Sequence, residues 1–591
     1  MSGSCCPHIP HRIKDIFHDY VGELQTLLWF TGPLALAMIL DVVPLTVTSV
    51  FVGHVGKAEL DAIMLAITFT ALTGVAVGLG LNVACDTLLS QIYGGGNFML
   101  IGIIVQRAIL ILTLTCFPCW ALYINTENIL RLCGQNKDVA RQAELCVLIL
   151  APELPAYFFF QLGLRFLQNQ EVLWPQIIIS SLAGVVTALT NYLLLFVLEI
   201  GVIGGALAIA VGALLKCILL FLYIYVRKLH VISWPGWSLE CLNDWGPFLA
   251  LGIPGILIHS IDFWAFELAM ILSGLKDLVE LEGQSIIIQL LDFLQKIPFA
   301  FGIAASVRVG GHLGAERTDQ AIKSAKLSMI IAGTLALFVS ILLIALRRFL
   351  GEIFTSEKPR PGTLALFVSI LLIALRRFLG EIFTRTLALF VSILLIALRR
   401  FLGEIFTSEK DVLLLVYRTI PVCALFYVFI PSVDVFIGIL KGVGKPQVAA
   451  VAYFGGHCFI AFPIGVPLMF LAKLGIQGFW IGMLIAFVII NIFFSLYFWR
   501  LDWNLMTEKA KERVGIKKEP VKCLERGIDT PDTIKLSHYG ALDSSNQEAE
   551  PQETADKSAK KKLIIRRVLQ ALGAVSTLII GLIIKLTVKY Q

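Results

Sequence analysis

The sequence predicts an all-α polytopic membrane protein, built as two pseudo-symmetric six-helix lobes followed by a thirteenth helix. Three observations predict it. First, the 591 residues are 57% hydrophobic and only 15% charged, whereas soluble domains hold about 45–50% apolar and about 25% charged residues. Second, apolar runs of about 20 residues, the length that crosses a bilayer, recur along nearly the whole chain and lack the alternation of barrel strands. Third, the first half is echoed degenerately by the second. Gly32-Pro33 returns as Gly246-Pro247, ACDT at 84–87 as AASV at 304–307, and Pro175-Gln176 as Pro446-Gln447. Parallel halves of this kind pack about an axis along the membrane normal, with the substrate path between them.

The elements follow in order. Residues 1–26 are polar and mixed, and read as a cytoplasmic tail without a cleavable signal. Spans are expected at 27–52, 60–90, 99–124, 139–166, 175–198 and 202–226, forming an N-lobe over 27–226. A loop at 227–245 leads to a C-lobe over 246–500, with spans at 246–275, 284–306, 322–346, 411–440, 446–471 and 475–499. The charge-rich stretch 501–562 reads as a disordered cytoplasmic tail, and 563–586 as the closing span. Lys and Arg in the short loops favour a cytoplasmic N-terminus. Arg12, Lys14, Arg227, Lys228, Arg308, Arg317, Lys323, Lys326, Lys441 and Lys445 then fall inside, against Lys57, Arg131, Lys137, Arg141, Lys276 and Lys473 outside. Arg347 and Arg348 oppose the rule.

One stretch breaks the pattern. TLALFVSILLIALRRFLGEIFT occurs letter for letter at 334–355, 363–384 and 386–407. Natural repeats are degenerate and regular; these copies are identical and unevenly spaced. We read them as a recent duplication or, in preference, an assembly error. The two surplus copies, within 356–407, add 52 residues (386 − 334), leaving 539. The half-to-half offsets are 214, 220 and 271, and subtracting 52 brings the last to 219.

Acidic residues inside apolar spans are costly, about 2.5–3.5 kcal/mol at a helix centre, so they are candidates for function. Asp41, Asp86, Asp262, Glu267, Asp292 and Asp434 stand deep in spans. Asp262 and Glu267 share the seventh, in SIDFWAFELAM, and point roughly 140° apart. Trp264 and Phe266 interleave them, and a carboxylate beside aromatic faces suits an organic cation. Burial raises the proton affinity of a carboxyl group in general, so one such site can trade a proton for a cation. The competing reading pairs the acids structurally with Lys296 or Lys441. Asp86 lies near a loop, where structure and function weigh equally. Asp41 has Pro44 one turn on, and a broken helix beside an acid suits an ion site. Cys116 and Cys119 (CFPC) sit inside an apolar run and read as packing. Gly438–Lys445 resembles a phosphate loop, but its spacing is one residue long and Pro446 replaces the Ser or Thr. No cofactor or metal set is evident, and a net charge of +6 over 591 residues gives no nucleic-acid footprint.

SVFVGHVGKAELDA (49–62), GLGLNVACDTLLSQIYG (78–94), CFPCWALYIN (116–125), GWSLECLNDW (236–245) and AASVRVGGHLGA (304–315) resemble the vertebrate multidrug and toxin extrusion (MATE) transporters, over essentially residues 20–500. The resemblance implies a proton-coupled antiporter that exports small organic cations from the apical plasma membrane of excretory epithelia. Two acidic family positions on the seventh span match Asp262 and Glu267. The family's glutamates on the eighth and tenth spans fall at Gln289 and Ile430, and Asp292 and Asp434 stand one turn further along the same faces. Asp292 and Asp434 are therefore expected to substitute. Rival readings are coupling to Na⁺, a lipid-like substrate, a receptor or channel, and a non-functional duplicated product. Oligomeric state is silent in the sequence.

Overall fold

The computed structural model describes residues 11–353, 410–515 and 550–589. The surplus copies within 356–407 and the stretch 516–549 lie outside the described residues. All regular elements among the described residues are helical. Among the described residues twelve helices are long and apolar enough to cross a membrane, and a bent pair makes a thirteenth span.

The N-lobe comprises α1 (His11–Val55), α2 (Ala58–Gly94), α3 (Phe98–Ile124), the bent α4 (Lys137–Leu150 with Glu153–Asn169), α5 (Trp174–Val197) and α6 (Val202–Val226). The C-lobe comprises α7 (Trp245–Lys276), α8 (Leu278–Gly314), α9 (Thr318–Ile353), α10 (Leu414–Val443), α11 (Pro446–Phe470) and α12 (Ile476–Trp499). After these come a short helix α13 (Trp503–Val514) and the terminal α14 (Glu550–Lys589).

Local chemistry sets the breaks. The two arms of α4 meet at 48° beside Pro152, whose ring supplies no N–H to continue the ladder. Pro175 and Pro446 open α5 and α11 in the first helical turn, where an N–H would be unpaired anyway. The inner repeat is visible in the backbone. Gly201 opens α6 at φ 69° and ψ −149°, and Gly475 opens α12 at φ 62° and ψ −144°. This is a conformation that only glycine adopts freely. Glu199 and Lys473, two residues earlier, both take the left-handed region at φ 50° and 57°, as do Gly96 and Glu316 at 74° and 60°.

Two apolar cores sit mainly one in each lobe. One joins α2, α3, α4 and α6 and takes in Trp245, Phe248 and Leu251 at the start of α7; the other joins α8, α10 and α12. A third cluster crosses between lobes, setting Leu27, Phe30 and Leu34 of α1 against Phe301, Ala304 and Val309 of α8, with Met506 and Ala510 of α13. The lobes touch backbone to backbone where α2 crosses α7 and α8. A Cβ at Gly80 would strike the backbone of Ile256, one at Gly94 the backbone of Gly311, and one at Gly314 the backbone of Gln91.

Two tail boundaries need correction. The 1–26 segment does not stay apart from the fold: α1 begins at His11, and Glu23 accepts hydrogen bonds from Arg308 at 3.1 and 2.7 Å and from Ser324 at 2.6 Å. The 501–562 tail begins as ordered helix. Asp502 caps α13 by accepting from the Leu505 amide at 3.1 Å, while Met506, Ala510 and Val514 form its buried stripe. The closing span, expected at 563–586, lies within α14. It docks along α3, with Gly581 packed on Ala121 and Lys585 bonded to Glu144 at 2.6 Å.

Candidate functional site

Midway along the seam between lobes, α2, α7, α8 and α10 surround a tight cavity. Asp86, His259, Asp262, Phe299, Ser306, Asp434 and Lys441 are among its lining residues. The elements explain the convergence. Gly302 on α8 and Gly438 on α10 lack side chains where the two helices cross, and a Cβ at Gly438 would strike the backbone of Gly302. That close approach draws Asp434 and Lys441, one turn to either side, against α8.

Charge is arranged in one layer. Arg165 of α4 pairs with Asp86 at 2.7 Å, and Lys441 approaches the other oxygen of Asp86 at 3.8 Å. Both cations and Asp86 are buried. Lys441 also stands over the Phe299 ring, 5.9 Å from its centroid. Asp434 is hydrogen-bonded by the Gln295 amide at 3.5 Å, and Asp262 lies beside the buried Tyr453. Three carboxylates (Asp86, Asp262, Asp434) face two fixed cations (Arg165, Lys441).

Below this layer the seam is closed on the side of the N-terminus. Thr87 donates to the Lys441 carbonyl at 2.6 Å and Gln91 to the Gly442 carbonyl at 2.8 Å. Arg513 of α13 donates to Gln91 at 3.1 Å and to the Gly444 carbonyl at 3.4 Å. Arg308 links Glu23 to Glu171.

Residues 33–193, 254–384 and 380–471 match the MatE family. The chain belongs to that family. The second and third matched segments overlap at 380–384, inside the letter-for-letter repeat. Multidrug and toxin extrusion protein 1 of Xenopus tropicalis is 38% identical over 96% of this chain and 92% of its own length. Protein 1 of Homo sapiens is 36% identical over 96% and 94%, and protein 2 of Mus musculus 36% over 96% and 92%. The fold matches the crystal structure of the eukaryotic MATE transporter AtDTX14, with a TM-score of 0.72, 24% identity and coverage of 84% of this chain and 100% of that one. It also matches a multidrug-resistance MATE transporter in an outward-facing conformation, with a TM-score of 0.64, 12% identity and coverage of 83% and 97%. The protein is therefore a multi-pass membrane transporter of the multidrug and toxin extrusion class.

Within this MATE fold the expected site residues separate. Asp262 and Asp434 meet in the cavity. Glu267 does not line it; its carboxylate accepts from Thr68 of α2 at 3.3 Å, across the lobe boundary. Asp292 is half exposed and paired with Lys296 at 2.7 Å, the structural pairing foreseen as the competing reading, because i and i+4 share a helix face. Gln289 is exposed and donates to Ser285 at 3.3 Å. Trp264 is 62% exposed and lies outside the cavity lining. Asp41 sits in the N-lobe, paired with Lys216 of α6 at 2.7 Å.

Asp86, expected near a loop, is buried at the centre of the ion-pair layer. Arg165 and Lys216 were not singled out by the sequence reading. The signal that points to them is the one used for the acids: a cation inside an apolar span needs a partner. Among the described residues no group of three His, Cys, Asp or Glu is placed to hold a metal ion.

Proposed function

We propose that this transporter exports small organic cations in exchange for protons, by alternating access between the two lobes. The observation that carries the reading is the charge sum of the buried layer. Three carboxylates against two fixed cations leave one negative charge, and an uncompensated buried charge is strongly unfavourable. The layer is neutral with one added proton or with one monovalent cation, but not with both. That exclusion makes exchange obligatory: a proton entering from one side releases the cation, and a cation entering from the other displaces the proton.

Asp262 and Asp434 are the exchanging groups in this reading, since Asp86 is already held by Arg165 and Lys441. Glu267, with Thr68, stands on the way to the layer and offers a first carboxylate to an incoming cation. Asp41 with Lys216 is a second ion pair inside the N-lobe. The seam is closed beside the N-terminus, the cytoplasmic end in this reading. Rocking is then the opening of the Thr87, Gln91 and Glu23 contacts. We place the protein at the plasma membrane, on the apical face of excretory epithelium, as the family resemblance implies.

The test is uptake of labelled tetraethylammonium into vesicles carrying this 591-residue chain, with the vesicle interior acid or at equal pH. Uptake driven by the acid interior is expected, and also from the chain lacking 356–407. Uptake that follows a Na⁺ gradient and ignores the proton gradient would overturn the reading.

A further inference from the structure

A second cavity, of about 430 Å³, lies far from the ion-pair layer, between the start of α7 and the start of the membrane-crossing part of α14. That size is within the range of small-ligand pockets, about 300–1,000 Å³. Its lining includes Asp244, Trp245, Gly246, Arg566, Arg567 and Gln570. Two arginines face one carboxylate, and that carboxylate already stands 3.7 Å from Arg107. The balance is basic.

The cavity is built. Arg567 lies flat over the Trp245 ring, its guanidinium carbon 4.1 Å from the centroid. It donates to the Leu242 carbonyl at 2.8 Å and to Gln570 at 2.7 Å. Those bonds use its Nε and one Nη, so its other terminal nitrogen remains for a ligand. The 32-residue helix α7 begins at the cavity with no side chain capping the amides of Trp245 and Gly246, the two that its first turn offers before Pro247, and such amides attract anions. Lys562 is exposed one turn before Arg566 on the same face, with Lys561 beside it.

Position narrows the ligand. The cluster precedes the apolar run of α14, on the side where α7 also starts, so it lies at the level of lipid headgroups. Four or more Lys and Arg beside a membrane span bind anionic lipid. We propose that this cavity binds the phosphorylated headgroup of an anionic phospholipid of the N-terminal-side leaflet, a polyphosphorylated inositol lipid fitting best because it offers several phosphate groups to Arg566, Arg567 and the α7 amides. The lipid would pin α14 to the α7 start, a joint that links the thirteenth helix to the C-lobe. The proposal stands independently of which solute is transported.

The experiment measures binding of a fluorescent phosphatidylinositol bisphosphate to the purified full chain in phosphatidylcholine nanodiscs. Each basic residue near an anionic surface is worth about fivefold in binding, so Arg566→Gln with Arg567→Gln should weaken retention by roughly 30-fold. Arg567 also holds α14 to Leu242, so Arg566→Gln alone is the second variant; it is exposed, and about fivefold weakening is expected. Arg566→Lys should bind nearly as the parent does. Equal binding by all variants overturns the site. Displacement of the lipid by inositol trisphosphate at equal concentration overturns the lipid source and makes the ligand a soluble phosphate ester.

Discussion

Replacing Asp262 by Asn tests the charge sum most directly. The substitution keeps the side-chain volume, but brings the buried layer from one net negative charge to zero. A monovalent cation seated about 4 Å from the carboxylate gains about 4 kcal/mol at an effective dielectric constant of about 20. At about 1.4 kcal/mol per decade, its loss weakens cation binding by roughly a thousandfold. Gradient-driven tetraethylammonium uptake in vesicles should therefore fall to background at matched surface expression. The charge argument makes a second, less obvious demand. Adding Lys441→Met to Asp262→Asn returns the sum to one negative charge, and cation binding, read by equilibrium displacement of the labelled cation, should recover in part. Full uptake by the single variant, or binding by the double variant weaker than by the single one, refutes the reasoning.

Arg165→Met leaves Asp86 buried with only the longer Lys441 contact, and should lower stability by about 3–5 kcal/mol, as breaking one side of a buried pair does; thermal melting in detergent checks it. Asp292→Asn removes an exposed i, i+4 pair worth about 0.3–0.5 kcal/mol, so melting should be unchanged and uptake within about twofold of the parent. Gly94→Ala would drive a methyl group into the Gly311 backbone and should cost about 1–3 kcal/mol. Gly311→Ala meets only the Ser90 carbonyl, at 3.9 Å, and should be neutral by the same melting assay.

Much of the architecture was legible because a bilayer imposes a simple rule. A span must be about 20 residues long and apolar, and a repeat within one chain shows as paired Gly-Pro, Ala and Pro-Gln landmarks. The bent α4 was legible as one span because its apolar run resumes directly after Pro152, and composition does not register the bend. Asp262 and Asp434 were legible as costly charges, and geometry joined them. The rest depended on direction around a helix. Asp292 and Asp434 each stand one turn from an expected family position, yet one faces Lys296 near the surface and the other the seam. Helical phase alone does not tell the seam-facing side from the exposed side when both are apolar. Arg165 and Lys441 reach Asp86 from distant positions in the chain, a pairing that no local pattern encodes. The helicity of 503–514 was hidden because its buried stripe is only three residues, Met506, Ala510 and Val514, within a charged segment.

Helix α13 follows α12 after only Arg500, Leu501 and Asp502, so its first residue is carried by the C-lobe. Its far end also reaches the other lobe: Asn97 donates to the Val514 carbonyl at 2.9 Å, and Arg513, which bonds the Gly444 carbonyl of its own lobe, grips Gln91 as well. It is a clasp across the moving joint, hinged on one side and hooked on the other. The polypeptide leaving the hook at Gly515 continues to α14, which rides on α3 of the N-lobe. Both ends of the stretch between them are therefore fastened to the N-lobe, and α13 itself is what spans the joint. A change that tightens or loosens the Asn97 and Arg513 contacts is therefore felt as a change in how readily the transporter turns over, without a single contact at the ion-pair layer being touched.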